Sequence, residues 1–331
     1  MRLGLIAAVF AGFLGQGVAA APVLTVYTYD SFVSEWGPGP KIKALFEAEC
    51  GCTVDFVTAG DGASLLGRLR LEGARSPADV VVGLDNNLID AARESGLFAP
   101  HGLGHATLDL PVEARDDTFL PFDWGYFAFV YDRTKLSDPP DSFPALIDRP
   151  ASFKVIIQDP RSSTPGLGLL LWVKAAYGDK APEIWKGLAP HVLTVTPGWS
   201  EAYGMFLKGE ADMVLSYTTS PAYHIIEEKD DTKAAAMFSE GHYLQVEVAA
   251  RLASSQEQEL AGRFLSFLLS DAAQAVLPTT NWMYPAVIPA GGLPAGFEKL
   301  SIPERALIFT PEEARSVRDA ALDEWLGALS R

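Results

Sequence analysis

A two-lobed α/β fold is the architecture this sequence predicts, and three observations predict it. Short β-branched and aromatic runs alternate with helical patterns along the chain. The 331 residues, 48% hydrophobic and 21% charged, suit two globular domains better than one. Two long strand-like stretches, residues 122–132 and 242–251, are free of internal proline and have no flexible linker beside them. They are expected to cross between the lobes as paired hinges.

The elements follow in order. Residues 23–27 (VLTVY) read as a first strand, and residues 40–49 as a helix carrying Ile42, Leu45 and Phe46 at helical spacing. A strand at 54–57 is followed by a helix at 64–72, whose Leu65, Leu66 and Leu69 supply an apolar face. Further strands are expected at 80–83, 127–131, 155–158 and 213–216. Helices at 257–269 and 271–276 close the pattern, and Thr310-Pro311-Glu312-Glu313 is a capping box with proline at the first helical position. The helix it opens places Val317, Ala321 and Trp325 on one face. No internal repeat or low-complexity segment is evident. The expected division is lobe I from 21–126 and 247–331 and lobe II from 127–246, with a ligand held in the cleft between them, near the strands' carboxyl ends.

Residues 1–20 have a basic start at Arg2, an apolar run from 3 to 14, and small residues at Val18 and Ala20. They read as a secretory signal peptide cut after Ala20, with an uncleaved anchor as the alternative. The run falls short of the roughly 20 apolar residues that a span needs. A soluble, exported protein, not inserted in the membrane after processing, is expected.

Twenty-six basic against 42 acidic side chains give a net charge of −16, and 25 against 42 give −17 after Arg2 is removed. This balance argues against nucleic acid and anionic lipid as partners and suits a cationic ligand. The abundant Asp and Glu read as solvated surface charge. Cys50 and Cys52, separated by Gly51, are a possible disulfide in an oxidising compartment; a redox or metal role is the alternative, but no second cysteine pair or histidine lies nearby. His101 and His105 have helical metal-ligand spacing, yet Gly102 and Gly104 oppose a helix there, and no metal site is assigned. Ser220 and His224 lack the third member of a triad, so no catalytic residue is assigned.

Longer motifs carry a resemblance. Residues 27–40 (YTYDSFVSEWGPGP), 61–73 (DGASLLGRLRLEG), 78–87 (ADVVVGLDNN), 159–172 (DPRSSTPGLGLLLW), 198–210 (GWSEAYGMFLKGE), 215–224 (LSYTTSPAYH) and 281–285 (NWMYP) closely resemble the periplasmic thiamine-binding family of bacterial ABC importers. That family lies within the extracellular solute-binding proteins, whose late helical segment residues 261–277 also resemble. The resemblance runs through nearly all of the chain beyond residue 20. It implies a type II periplasmic-binding-protein fold closing on thiamine, thiamine monophosphate or thiamine diphosphate, with no resident cofactor. It also implies an inner-membrane ABC permease with its cytoplasmic ATPase as partner. Ligand contacts carry over to Asp61, Gly62, Ser163, Thr164, Trp199, Tyr217, Thr218, Thr219 and Ser220, and further to Tyr29, Tyr223 and Trp282. Two alternatives share the implied fold: a thiaminase-like enzyme, which would need a cysteine nucleophile, and a ferric-ion receptor, whose adjacent tyrosine pair is not matched by Tyr217 and Tyr223.

The expected contacts make chemical sense for thiamine, which joins two aromatic rings, one a permanent thiazolium cation, to an arm that can carry phosphate. Trp199, Tyr217, Tyr223 and Trp282 offer flat faces for stacking and cation–π attraction, each worth about 0.5–2 kcal/mol. The Ser162–Gly168 stretch precedes an apolar helix, and its hydroxyls and amides can hold phosphate oxygens. Asp61 stands before another helix, placed either to cap it or to accept a ligand hydrogen bond.

Overall fold

The computed structural model describes residues 21–104 and 106–329; residues 1–20, read from the sequence as a signal peptide, lie outside them, as do His105, Ser330 and Arg331. The first lobe opens with β1 (Val23–Thr28), α1 (Asp30–Val33), α2 (Gly39–Cys50), β2 (Thr53–Thr58), α3 (Gly62–Glu72), β3 (Val80–Asp85), α4 (Ile89–Glu94) and β4 (Phe98–Ala99). The long β5 (Leu120–Asp132) then leaves it. The second lobe contains α5 (Phe143–Ile147), β6 (Val155–Gln158), α6 (Thr164–Tyr177), α7 (Ala181–Leu188), β7 (Val192–Thr196), α8 (Trp199–Leu207), β8 (Met213–Tyr217), α9 (Pro221–Tyr223) and β9 (Lys233–Ala235). β10 (His242–Leu252) returns to the first lobe, followed by α10 (Gln258–Leu268), α11 (Asp271–Gln274), β11 (Tyr284–Pro285), β12 (Ala306–Leu307) and the terminal α12 (Pro311–Leu329).

The strand order β2-β1-β3-β10-β5-β8-β6-β7 shows how the lobes join. β1 runs parallel to β2 and β3, whereas β10 runs antiparallel to β3 and β5. Along β5, residues Leu120 to Tyr126 pair with β10, and residues Phe127 to Tyr131 pair with β8. The partner therefore changes between Tyr126 and Phe127, inside one unbroken strand. Both hinge segments anticipated from the sequence lie within these crossing strands. β3, VVVGLD, is buried along its whole length because helices cover both faces of this part of the sheet.

Each lobe has an aromatic centre. In the first, Phe46 of α2 packs against Phe264 and Phe267 of α10, with ring centroids 5.0 and 5.3 Å apart. In the second, Trp172 of α6 packs among Phe129, Phe143 and Phe238 and donates its indole N–H to the Gly241 carbonyl at 2.9 Å. α10 and the segment after it are apolar enough to qualify together as a bent membrane pair, yet their apolar side chains form the first lobe's core; no single helix among the described residues is long and apolar enough to cross a membrane.

The capping box forms as expected: Thr310 Oγ1 accepts from the Glu313 amide at 3.2 Å, and Glu313 Oε2 accepts from the Thr310 amide at 2.8 Å. The placement of α12 differs from the expectation that it belongs to lobe I alone. It lies against α6 and α7 of the second lobe as well as α4 of the first. Lys174 of α6 pairs with Glu324 at 2.7 Å, while Arg315 pairs with Glu94 at 2.6 Å. Chain order placed this helix with the strand that precedes it, but its buried Trp325 face belongs to a groove shared by both lobes.

Cys50 and Cys52 are joined in a disulfide at the end of α2, where Gly51 takes φ +64°. So short a loop restricts the unfolded chain little, about 1.5 kcal/mol by loop-closure entropy. Reduction with dithiothreitol is therefore expected to lower the thermal midpoint by only a few degrees, and a drop above about 10 °C would show that the bond does more than close a three-residue loop.

Candidate functional site

Glu247 of the crossing strand β10 reaches into a cleft of about 570 Å³ between the lobes, within the roughly 300–1,000 Å³ range of small-ligand sites. Eight of the twelve expected contacts line it: Tyr29, Asp61, Thr164, Trp199, Tyr217, Ser220, Tyr223 and Trp282. Gly62, Ser163, Thr218 and Thr219 stand directly behind, buried, and hold the lining in position.

Trp199 begins α8, stacks on Tyr203 with centroids 5.1 Å apart, and donates its indole N–H to Ser216 Oγ at 2.8 Å. Ser216 and Ser220 hydroxyls lie 2.7 Å apart, and Ser220 Oγ accepts from the Tyr217 amide at 3.1 Å. This chain of bonds fixes the two aromatic faces relative to each other. Behind it, the Thr218 amide donates to the Tyr126 carbonyl at 2.9 Å, and the Thr219 hydroxyl lies 3.8 Å from Met283 Sδ. Ser220 has no bond to His224, whose ring nitrogens instead meet Tyr203 and Glu228.

The opposite wall is equally constrained. Tyr29 lies over Gly83, which takes φ +102° and whose missing Cβ would fall 2.1 Å from the tyrosine ring, so only glycine admits this packing. Trp282 adopts φ +57°, a costly conformation for a bulky residue, and meets Tyr223 edge-on at 5.4 Å. Trp36, unassigned from the sequence, stands at the cleft mouth 6.0 Å from Trp199 and so touches the other lobe.

Asp61 does not use its side chain to cap α3. Its carboxylate crosses to the amino end of α6, where Oδ2 accepts from Ser163 Oγ at 2.8 Å and a further bond comes from the Thr164 amide. The Gly62 amide donates to Thr164 Oγ1 at 3.3 Å, and a Cβ at Gly62 would lie only 2.6 Å from that hydroxyl. Two helix amino ends thus meet across the cleft, and a carboxylate occupies the positive end of α6. The donors expected to meet phosphate are already engaged by Asp61, because lobe contact brings a side chain there that spacing along the sequence could not show.

Charge is the second correction. The acidic residues expected to be solvated include three buried in one row: Asp85 of β3, Glu247 of β10 and Asp123 of β5, with Glu247 paired in register with both neighbours. Glu247 lines the cleft. The sequence did contain a signal, since Asp123 and Glu247 each stand between apolar neighbours, Phe122 and Trp124 in β5 and Val246 and Val248 in β10. The cleft's charged lining is Glu35, Asp61, Glu227 and Glu247 against Lys41, an excess of carboxylates that favours a cation.

Burial pushes Asp61 and Asp85 up to about 6 and Asp123 up to about 7. A group whose proton is held more tightly in the folded state stabilises the fold below its unfolded value and loses that contribution as pH rises through its folded value. Burial shifts His242 the other way, down to about 4, so its contribution is present above its unfolded value and lost as pH falls. Three carboxyls outweigh one imidazole. The ligand-free protein is expected to show a higher calorimetric midpoint at pH 5 than at pH 8; the reverse order would mean that these carboxyls titrate normally.

The family described as bacterial extracellular solute-binding protein matches residues 30–275. A thiamine-binding periplasmic protein of Escherichia coli (strain K12) is 60% identical over 314 residues, covering 95% of each chain. One from Brucella suis is 52% identical over 318 residues, covering 96% of this chain and 95% of the relative. A solved periplasmic thiamin binding protein superposes with a TM-score of 0.92 at 58% identity, covering 97% of this chain and all of the other. A ferric binding protein from Campylobacter jejuni, 19% identical with a TM-score of 0.75, shares the fold over 92% of this chain and 99% of its own. With its type II fold of two lobes and two crossing strands, this chain belongs to the bacterial extracellular solute-binding protein family.

Proposed function

We propose that this chain is a periplasmic receptor that closes on thiamine and its mono- and diphosphate esters and delivers them to an inner-membrane ABC permease powered by a cytoplasmic ATPase. The observation that carries the reading is the cleft itself: aromatic faces from both lobes, Tyr29 and Trp282 against Trp199 and Tyr217, stand over an acidic floor. Such walls take flat rings, and such a floor favours the thiazolium charge. The names of relatives about 60% identical over nearly the whole chain support thiamine as the cargo.

In this reading a phosphate on the ligand replaces the Asp61 carboxylate at Ser163 Oγ and the Thr164 amide, where two helix amino ends converge. Thr218 and Thr219 act by holding Tyr217 and Ser220. The lobes divide between residues 126 and 127 and between 246 and 247, and the ligand draws them together by binding both. The reading involves no covalent chemistry; both cysteines are joined at the end of α2 and neither lines the cleft.

Titration calorimetry on protein stripped of ligand is the test. Thiamine at micromolar concentration is expected to give heat and raise the thermal midpoint, and the two esters are expected to do the same. No response to any of the three would reject the proposal. Amino-terminal sequencing of the exported protein is expected to begin at Ala21.

A further inference from the structure

The row formed by Asp85, Glu247 and Asp123 is an unusual arrangement for the centre of a sheet. Residues directly opposite on neighbouring strands have Cβ atoms about 4.5–5.5 Å apart, and like charges there repel. Among the described residues no Lys or Arg forms an ion pair with any of the three. Neutral donors serve them instead. Asn87 donates to Asp85 from its amide at 3.0 Å and its side chain at 3.2 Å. Asn281 Nδ2 donates to Asp123 Oδ2 at 2.6 Å, and Glu247 accepts from the Tyr29 hydroxyl at 3.0 Å and Gln245 Nε2 at 2.8 Å.

One oxygen is left over. Asp123 Oδ1 is fully buried without a donor, while the Asp123 and Glu247 carboxyls lie within hydrogen-bonding reach of each other. Two carboxyls can bond only if one carries a proton. Of this pair, Glu247 reaches the cleft surface.

We propose that Glu247, with Asp123 behind it, is a specificity-determining group that accepts the cationic, amino-bearing ring system of the ligand and gives up the shared proton to solvent when that ligand binds. This inference rests on the thiamine reading. The balance is simple: protonated carboxyl pair plus thiamine cation gives an ionised pair, bound thiamine and one proton in solution. The carboxyls facing Glu247 reinforce its protonation before binding. They are Asp123 on β5, Asp61 at the start of α3 and Asp85 on β3; the Tyr29 hydroxyl at the end of β1, which donates to Glu247, favours the carboxylate instead, and Tyr217 at the end of β8 also faces it. Lys41, Glu35 and Glu227 complete the charged lining of the cleft. Burial and the neighbouring Asp123 carboxylate raise the Glu247 carboxyl well above its ordinary value.

The test is calorimetry of thiamine binding to the full mature protein in buffers of different ionisation enthalpy between pH 6.5 and 8. Release of up to about one proton per thiamine is expected, with affinity rising by as much as about tenfold per pH unit where release is complete. In Asp123→Asn the shared proton has no second carboxyl, so binding should persist with the release diminished. In Glu247→Gln, release should vanish and thiamine affinity should fall at least tenfold, with the circular dichroism spectrum and thermal midpoint showing an intact fold. Thiamine binding by the wild type with no buffer-dependent heat would overturn the proton linkage while leaving the receptor reading standing. Unchanged affinity and proton release in Glu247→Gln would overturn the assignment of the group, and no thiamine binding by the wild type would reject both readings.

Discussion

Trp199→Ala will weaken thiamine binding by about 10- to 30-fold while the protein remains folded, because an aromatic face over a partly desolvated cation contributes up to about 2 kcal/mol. The indole is a lining residue at the start of α8, not a core residue, and only half-buried. Removing it leaves Tyr203 stacked on and bonded to His224 and frees one hydrogen-bonding position on Ser216, which keeps Ser220 as a partner. The effect should therefore fall on affinity. Calorimetry gives the dissociation constant and a thermal melt the stability; an unchanged dissociation constant would remove Trp199 from the binding face. Trp199→Phe, which keeps a flat ring but loses the bond to Ser216, should recover part of the lost affinity.

Trp172→Ala should have the largest effect on stability, about 3–5 kcal/mol, the usual range for emptying a large aromatic site in a core. The side chain is fully buried against Phe143 at 5.0 Å and Phe238 at 5.4 Å. Its loss also leaves the Gly241 carbonyl without its indole donor just before β10, so the damage extends to the crossing strand. Trp172→Phe fills much of the space but still abandons that carbonyl, a cost of about 1–3 kcal/mol. Chemical denaturation of both variants would check the order, and an alanine variant as stable as the wild type would refute this account of the second core.

The main strands were legible because their chemistry is local. β3 announces itself as VVVGLD, and the apolar spacing of Leu65, Leu66 and Leu69 marks α3. By contrast β4, β11 and β12 are two residues long and β9 is three, too short to show alternation, and each exists only because a long strand passes beside it. Within the site, Trp199, Tyr217 and Trp282 were accessible from motifs. The partner of Asp61 was not, since Ser163 lies 102 positions away and meets it only across the lobes. Glu247 and Asp123 show the opposite failure: their charges stood out between apolar neighbours, but composition alone suggested surface, and only the register of β10 between β3 and β5 brings them together in the interior.

The central position of β10 has a consequence for the order of assembly. Residues of the second lobe follow one another without interruption from β5 to β9, so that half can gather the contacts among these elements, though not those with α12, as soon as this stretch of chain is available. The first lobe cannot: β1 to β3 must wait for a strand encoded some 160 residues later, as the bond between Asn86 and Val246 illustrates. Long-range pairings form slowly because loop closure must precede their reward. Until β10 arrives, the open edge of β3 is a hydrophobic run with unpaired amides, the kind of template that recruits other chains. The newly made protein should thus be most prone to aggregation before residues 242–252 emerge, and variants that slow the docking of β10 should lose yield before they lose native stability.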